Sequence, residues 1–199
     1  MRVRRLIPTL AVLAVAATAQ AQQDRAPRET VTAELGGKKV AVEYGRPSLK
    51  GRPVKDLLGQ LPANRVWRAG VDQVTTLTTD AEILVGGKKV PAGTYTLYLH
   101  APESGPYELL VNKDPGVKLK TIYAAAPPSL ADAMWPHIED YPTIKDKEVA
   151  RVALKSAAAH SGAADRFLVT MAPAKDGVSA LTLSWGDQSW TTKVRAAGK

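Results

Sequence analysis

The stretch Thr94-Tyr95-Thr96-Leu97-Tyr98-Leu99 decides the fold, because every second side chain is large and apolar. In an extended chain these side chains fall on one face, since alternate residues point to opposite sides of a strand. The same spacing recurs near the carboxyl end, in Phe167-Val169-Met171, Leu181-Leu183-Trp185 and Trp190-Thr192-Val194. Such rows bury against a facing sheet, so the sequence predicts an all-β fold, a single antiparallel β-sandwich of roughly eight to eleven strands.

A repeated pentapeptide marks two turns between strands. Gly-Gly-Lys-Lys-Val occurs at 36–40 and again at 86–90. A Gly-Gly pair supplies the positive φ angles that two-residue hairpin loops require. The alternative for a glycine followed by lysine is a phosphate-binding loop, but neither copy has the earlier glycine and the following helix that such a loop needs. We therefore predict β-hairpins at Gly36-Gly37 and Gly86-Gly87.

Two proline-rich stretches, 45–63 and 114–146, interrupt the strand pattern. In the first, Val54 to Leu58 predicts one helical turn. In the second, Ser129 to Trp135 predicts a short capped helix. Long structured loops in compact domains are usually functional or mobile, so these two stretches are the first places to look for a site.

The first 21 residues have the pattern of a secretory signal peptide. Three arginines precede an apolar run at 6–19, and Ala19-Gln20-Ala21 is a small-residue cleavage site. An uncleaved anchor is the alternative, but the run is shorter than the roughly 20 residues that cross a bilayer. A twin-arginine route has only the Arg4-Arg5 pair in its favour, so general secretion is the better interpretation.

These features divide the chain into a signal peptide at 1–21, a short disordered leader at 22–28 and the β-sandwich at 29–199. We expect the mature protein to begin at Gln22 and to be periplasmic or secreted, in a bacterial-type cell. The chain has no cysteine, so we expect no disulfide and no lipidated thiol at the cleavage site. No further stretch predicts a membrane span after cleavage.

The charge pattern limits the partners. Without residues 1–21 the chain has 24 basic and 19 acidic residues, a net charge of +5, and no run of five like charges. This balance argues against nucleic-acid binding. It supports solubility or weak attraction to anionic envelope surfaces.

Five short motifs follow one another in the first half of the chain. They are Tyr44-Gly45-Arg46-Pro47-Ser48, Lys50-Gly51-Arg52, Val66-Trp67-Arg68-Ala69-Gly70, Thr75-Thr76 and Val90-Pro91-Ala92-Gly93-Thr94-Tyr95-Thr96-Leu97. In this order they resemble the bacterial exported family catalogued as domain of unknown function 2911. The motifs cover about 29–113, whereas 148–195 share only a strand-like character, and the proline-rich stretch around Trp135 departs from the family pattern. The resemblance implies export and an unassigned activity.

Three residues of these motifs form the candidate ligand site. Trp67 and Arg68 are adjacent in an extended segment and point to opposite faces, so we expect Trp67 in the core and Arg68 exposed. An exposed guanidinium near Tyr44 and Arg46 can bind a carboxylate, a sulfate or sugar hydroxyls. The alternative is that the two arginines bind backbone carbonyls and hold the loop in place. We predict that Tyr44, Arg46 and Arg68 cluster at one end of the sandwich and bind a small anionic or sugar-like ligand.

The sequence contains few residues in patterns that are typical of catalytic or metal sites. The three histidines, His100, His137 and His160, are far apart and none has a metal-ligand spacing. There is no Gly-x-Ser-x-Gly elbow and no thiol. The sequence therefore predicts no metal and no cofactor. The row Thr94, Thr96, Tyr98 and His100 is interpreted as the solvent-facing side of its strand, with a binding groove as the alternative.

Two main function classes follow, and the sequence leaves open whether the protein is an enzyme. The first is a non-catalytic small-ligand or envelope-associated binding domain, which we prefer because arginines and aromatics lie on loops over a rigid sheet. The second is a hydrolase whose acid and base come from His100, His137, Glu139 and Asp140; convergence of His137 with a carboxylate in a cleft would favour it. A purely structural role would instead predict exposed sheet edges or apolar patches and no pocket.

Overall fold

A computed structural model describes residues 26–198. The predicted signal peptide at 1–21 and residues 22–25 of the predicted leader lie outside these residues. Strand β1 (Arg28–Leu35) begins at the last residue that we assigned to the leader. No helix within 26–198 combines the length and the apolar character that crossing a membrane demands.

Fifteen strands lie in the described part of the chain, eleven of them with three or more residues. After β1 they are β2 (Lys38–Gly45), β3 (Val66–Trp67), β4 (Thr76–Thr79), β5 (Ile83–Val85), β6 (Lys88–Val90), β7 (Gly93–His100), β8 (Glu108–Asn112), β9 (Val117–Lys118), β10 (Met134–Trp135), β11 (Glu148–Ala153), β12 (Lys155–Ser156), β13 (Leu168–Met171), β14 (Val178–Trp185) and β15 (Gln188–Ala196). The helices are α1 (Val54–Gly59), α2 (Leu119–Ile122) and two 3₁₀ helices, η1 (Tyr141–Lys147) and η2 (Ser161–Ala163).

Two antiparallel sheets pack against each other, which confirms the predicted β-sandwich. The larger sheet has the order β1-β2-β4-β7-β8-β11, with β3 beside β7. The smaller sheet has the order β13-β14-β15-β5-β6, with β12 beside β15. A separate two-stranded ladder joins β9 to β10.

Both predicted hairpins are present. Gly36 and Gly37 join β1 to β2 with φ of 62° and 78°, and Gly86 and Gly87 join β5 to β6 with φ of 56° and 86°. All four angles are positive, which residues other than glycine rarely adopt, so the Gly-Gly pairs determine where these strands turn.

The inner faces of the sheets form the core, as the period-two rows predict. Tyr95, Leu97 and Leu99 of β7 are buried there, and Phe167 and Trp185 are 0% and 4% exposed. Helix α1 adds Val54 and Leu58, so the predicted turn at 54–58 is also present.

The middle of the opposite row of β7 is also buried, which corrects the expectation of a solvent-facing row, although Thr94 is exposed and His100 is partly exposed. Thr96 and Tyr98 are 3% and 0% exposed because residues 114–147 cross the outer face of the larger sheet. Helix η1 packs Tyr141 and Ile144 on this face, with the Tyr141 and Tyr98 rings 4.8 Å apart. The alternation in β7 predicts that the strand has two faces. The burial of Thr96 and Tyr98 on the second face depends on residues 114–147, which are distant in sequence.

The predicted helix at 129–135 is wrong. Met134 and Trp135 form β10 and pair with β9, and the preceding residues form turns. The backbone N–H groups of Leu119 and Lys120 donate to the carbonyls of Ala133 and Ala131 at 2.9 and 3.0 Å. These long-range bonds take the place of a local helix.

Candidate functional site

Tyr44 and Arg46 come together through a shared carboxylate, Glu29. The buried Tyr44 hydroxyl lies 3.2 Å from Glu29 Oε2 and 3.3 Å from the Val169 carbonyl oxygen. The Arg46 guanidinium donates from Nη1 to Glu29 Oε1 at 2.6 Å and from Nε to the Phe167 carbonyl at 2.9 Å. We call Glu29, Tyr44 and Arg46 the clasp, because these bonds tie β1 and β2 to the chain at 167–169.

The environment of the clasp leaves little surface for a ligand. Tyr44 has no exposed surface, and burial raises the pKa of its hydroxyl, with the Glu29 charge acting in the same direction. Arg46 binds one backbone carbonyl, that of Phe167, which is the structural role predicted as the alternative to ligand binding. Ligand binding by these two residues stays a prediction, and neither lines the cavity that contains Arg68.

Arg68 lies in a different setting. It follows β3, which pairs with β7 through Trp67 and Leu99, and it lines a cavity of about 660 Å³. The walls come from the loop after β2, from the segment around Arg68 and from the proline-rich segment. The other lining residues are Pro47, Gln60, Leu61, Pro62, Trp67, Gly70, Val71, Asp72, Ile138 and Glu139.

The Arg68 guanidinium is half-buried, yet it makes no hydrogen bond or ion pair with any residue in 26–198. Burial lowers its pKa, while the carboxylates of Asp72 and Glu139 act in the opposite direction. Polar groups removed from water are nearly always hydrogen-bonded. A guanidinium carries five N–H donors, so this side chain has a donor capacity that its described neighbours leave unused.

A second cavity of about 440 Å³ adjoins the first. The two share Arg68, Ile138 and Glu139 as lining residues. The second is otherwise lined by Val117, Ile122, Trp135, Pro136, His137 and Asp140. We refer to both cavities together as the Arg68 cleft, with the guanidinium at their common wall.

The segment that carries Arg68 is conformationally strained. Arg65, Ala69 and Asp72 have φ of 56°, 49° and 64°. Non-glycine residues in this region cost on the order of 1–3 kcal/mol each and persist only where the surroundings impose them. The Thr75 hydroxyl imposes part of this path by donating to the Ala69 carbonyl at 3.0 Å. Such strain concentrates at binding and catalytic sites.

Close packing explains two glycines of the motifs. A side chain at Gly45 would collide with the Val71 carbonyl oxygen, and one at Gly70 would meet the Thr75 hydroxyl oxygen at 2.7 Å. Both positions therefore require glycine for the segment to lie against β2. This contact fixes where Arg68 stands relative to the sheet.

Asn64 connects the two sides of the cleft. Its side-chain amide donates to the carbonyls of Ile138 and Glu139 at 2.6 and 3.2 Å, and its Oδ1 accepts from the Val66 N–H at 3.0 Å. Asn64 and Asp72 were not among the residues predicted from the sequence to form the site. Their signal was their position beside the Val66–Gly70 motif and, for Asp72, the tolerance of aspartate for positive φ.

His137 meets two carboxylates in the wall of the cleft. Its Nδ1 lies 2.9 Å from Asp140 Oδ2, and its Nε2 lies 3.5 Å from Asp114 Oδ1. Burial would raise the pKa of Asp114, but hydrogen bonds from the Lys147 ammonium at 2.7 Å and the Gly116 N–H hold it below its usual value. Both ring nitrogens thus face carboxylates, Nδ1 at hydrogen-bond distance from Asp140 and Nε2 at a longer distance from Asp114.

The structure therefore places His137, Glu139 and Asp140 around the cleft, whereas His100 and His160 do not line it. His100 pairs with Glu108 at 2.9 Å, and Glu108 also binds Arg151 at 2.7 Å. His160 accepts a hydrogen bond from the Gly162 N–H at the start of η2. Within 26–198 no group of three or more His, Asp or Glu side chains is arranged to hold a metal ion.

Comparison with known proteins gives one result. A family profile described as "Protein of unknown function (DUF2911)" matches residues 26–194. The match includes the carboxy-terminal strands and the proline-rich segment as well as the motifs at 29–113. No curated protein and no solved structure matches the chain. Because the profile covers most of the sequence, the chain belongs to the family of domain of unknown function 2911.

Proposed function

We propose that this protein is an exported, non-catalytic binding domain that holds a small sugar-like ligand in the Arg68 cleft. The observation that carries the proposal is the Arg68 guanidinium, half-buried in a cavity wall and without a hydrogen-bond partner in the described residues. A ligand that supplies oxygen acceptors would satisfy these donors at the point where the two cavities meet.

The charges around Arg68 favour hydroxyls over a simple anion. The carboxylates of Asp72 and Glu139 line the same cavity and act on Arg68 electrostatically. An anion bound there would face two like charges. A sugar hydroxyl can accept from the guanidinium and donate to a carboxylate, so it fits both kinds of group.

The shape of the cleft supports an elongated ligand. Its two parts have volumes of about 660 and 440 Å³ and share Arg68. Ligand pockets commonly measure about 300–1,000 Å³, so each part has room for a small molecule. Trp67 lines one part and Trp135 the other, and aromatic rings of this kind offer apolar contact to the faces of a bound molecule.

The proposal includes export of the protein to the periplasm or the medium. Residues 1–21 have the features of a cleaved signal peptide. The intact mass of the protein recovered from the periplasm or medium of an expressing bacterium tests this. We expect a chain that begins at Gln22, and retention of residues 1–21 would contradict the proposal of cleavage.

The ligand proposal is tested with a panel of mono- and oligosaccharides, measured by isothermal titration calorimetry. We expect at least one saccharide to bind saturably and Arg68→Leu to weaken it by about tenfold or more, because a charge-assisted hydrogen bond is lost. The matched control is Arg166→Leu, an equal change at an exposed arginine outside the cleft lining. Equal affinity in wild type and Arg68→Leu would contradict the assignment of the site.

A hydrolase is the second candidate, and one observation favours it. His137, Glu139 and Asp140 line the same cavity, so His137 and a carboxylate converge in a cleft, as a hydrolase requires. Wild type and His137→Gln should be assayed on nitrophenyl glycosides and esters. Turnover that the substitution abolishes would support this candidate, and turnover that is absent or unchanged would reject it.

A further inference from the structure

A second concave surface lies on the outer face of the smaller sheet, apart from the Arg68 cleft. It encloses about 610 Å³ along β15, between β14 on one side and β5 and β12 on the other. We call it the β15 groove and define it by six of its lining residues. They are Leu84, Lys155, Val178, Ala180, Lys193 and Arg195.

The strand register brings these residues together. Lys193 lies opposite Ala180, and Arg195 lies between Val178 on β14 and Leu84 on β5. Lys155 of β12 lies opposite Thr191, which is two residues before Lys193 on the same face. Residues two apart on a strand are about 7 Å apart, so three positive charges follow the groove at roughly this spacing.

The charged residues that line the groove are all basic, in contrast to those of the Arg68 cleft. Every residue that lines it belongs to the described part of the chain, and none of these is aspartate or glutamate. The ammonium groups of Lys155 and Lys193 are exposed and form no ion pair with a residue in 26–198. Like charges held at this distance repel one another, and a bound anion would reduce that repulsion.

The floor of the groove is apolar. Leu84, Val178 and Ala180 are only partly buried, although β14 and β5 are interior strands of the sheet. Apolar area that leaves water on binding contributes about 25 cal/mol per Å². We infer that the β15 groove binds a small molecule with one anionic group and an apolar body, the anionic group contacting Lys155 and Lys193 and the apolar body covering the floor.

The probe for this inference is n-octyl phosphate, used below the concentration at which it forms micelles. Two control compounds separate the two contacts. Inorganic phosphate has the anionic group alone, and 1-octanol has the apolar chain without the anionic group. Calorimetry should show saturable binding of one octyl phosphate per protein and weaker binding of either part. Equal affinity for inorganic phosphate or for octanol would overturn the inference, because one of the two contacts would then contribute nothing.

The site is located with paired substitutions of equal charge. Lys155→Gln with Lys193→Gln should weaken octyl phosphate binding by about tenfold or more. The control pair is Lys38→Gln with Lys39→Gln, exposed lysines of the other Gly-Gly-Lys-Lys-Val hairpin. Equal weakening by both pairs would overturn the inference, since it would reflect net charge alone.

Two further measurements distinguish the β15 groove from the Arg68 cleft and from a membrane-binding surface. Arg68→Leu should leave octyl phosphate binding unchanged, and a loss of binding in that variant would place the anion in the Arg68 cleft instead. Protein that sediments with phosphatidylglycerol vesicles while failing to bind octyl phosphate would point to a membrane surface and would reject a small-molecule groove.

Discussion

The clasp and the Arg68 cleft each contain an arginine from the motifs that identify the family, but the two arginines have opposite surroundings. Arg46 has a carboxylate at 2.6 Å and a backbone carbonyl at 2.9 Å. Arg68 has no hydrogen-bond acceptor among residues 26–198 and stands in a cavity wall. Residue type and motif membership therefore do not decide the role of an arginine. The acceptors that the fold supplies decide it.

The clasp and the Arg68 cleft both contact one buried aromatic ring, that of Phe167. The Phe167 ring lies 5.7 Å from Tyr44 of the clasp and 4.9 Å from Trp67 of the cleft. Trp67 also stacks on Trp185 at 5.1 Å with an interplanar angle of 5°. Removing the central ring should therefore affect both regions at once, whereas changes at either arginine should affect one.

The largest expected effect comes from Phe167→Ala. Phe167 is fully buried, and truncation of a buried phenylalanine costs roughly 3 to 5 kcal/mol in free energy of unfolding. Urea denaturation measures this value, and Trp185→Ala should lose a similar amount. Wild-type stability in either variant would exclude that ring from the core, and in Phe167→Ala it would also contradict the link between the two regions.

Arg46→Leu should have the next largest effect on stability. It leaves the Phe167 carbonyl without its side-chain donor and Glu29 without its cation, and an unsatisfied buried group costs about 1–3 kcal/mol. The same denaturation experiment tests it, with Arg52→Leu as the control, since Arg52 is an exposed arginine that donates to one backbone carbonyl outside the clasp. A loss no larger than in the control would show that the clasp adds nothing to stability.

Tyr44→Phe isolates the hydroxyl of the clasp. The ring contact with Phe167 is kept, and only the contacts with Glu29 and the Val169 carbonyl are lost. We expect a loss of about 0.5–1.5 kcal/mol, the usual net contribution of one hydrogen bond. An increase in stability would mean that burial of the hydroxyl outweighs these bonds.

Arg68→Leu should have the smallest effect on stability and the largest on binding. With no protein hydrogen bond to lose, the change in free energy of unfolding should stay within about 0.5 kcal/mol. Thermal unfolding and saccharide titration should be measured on the same samples. A fall in melting temperature as large as that of Arg46→Leu would make Arg68 a second clasp and would leave the cleft without a proposed ligand contact.

Local sequence patterns predicted local structure well. The Gly-Gly pairs marked both hairpins, the row of Tyr95, Leu97 and Leu99 marked an inner face, and Val54 to Leu58 marked α1. Each of these signals acts within a few residues. The helix expected at 129–135 was wrong because long-range pairing with 117–120 competes there with a local preference.

The candidate site was only partly predictable. The sequence singled out Arg68, His137, Glu139 and Asp140, which the structure places around one cleft. It did not indicate Glu29 as the partner of Tyr44 and Arg46. It also did not indicate that residues 114–147 would cover the outer face of β7 and supply a wall of the cleft.

The sequence by itself determined the β-rich fold class, the two glycine turns and the family, because periodicity and turn chemistry are properties of neighbouring residues. Only the tertiary structure decided that Arg46 has hydrogen-bond partners and that Arg68 has none among residues 26–198. The acceptors of Arg46 come from Glu29 and from Phe167, which is 121 residues away. Hydrogen bonds form between groups that folding brings within about 3 Å, and no local pattern in the chain records which distant groups those will be.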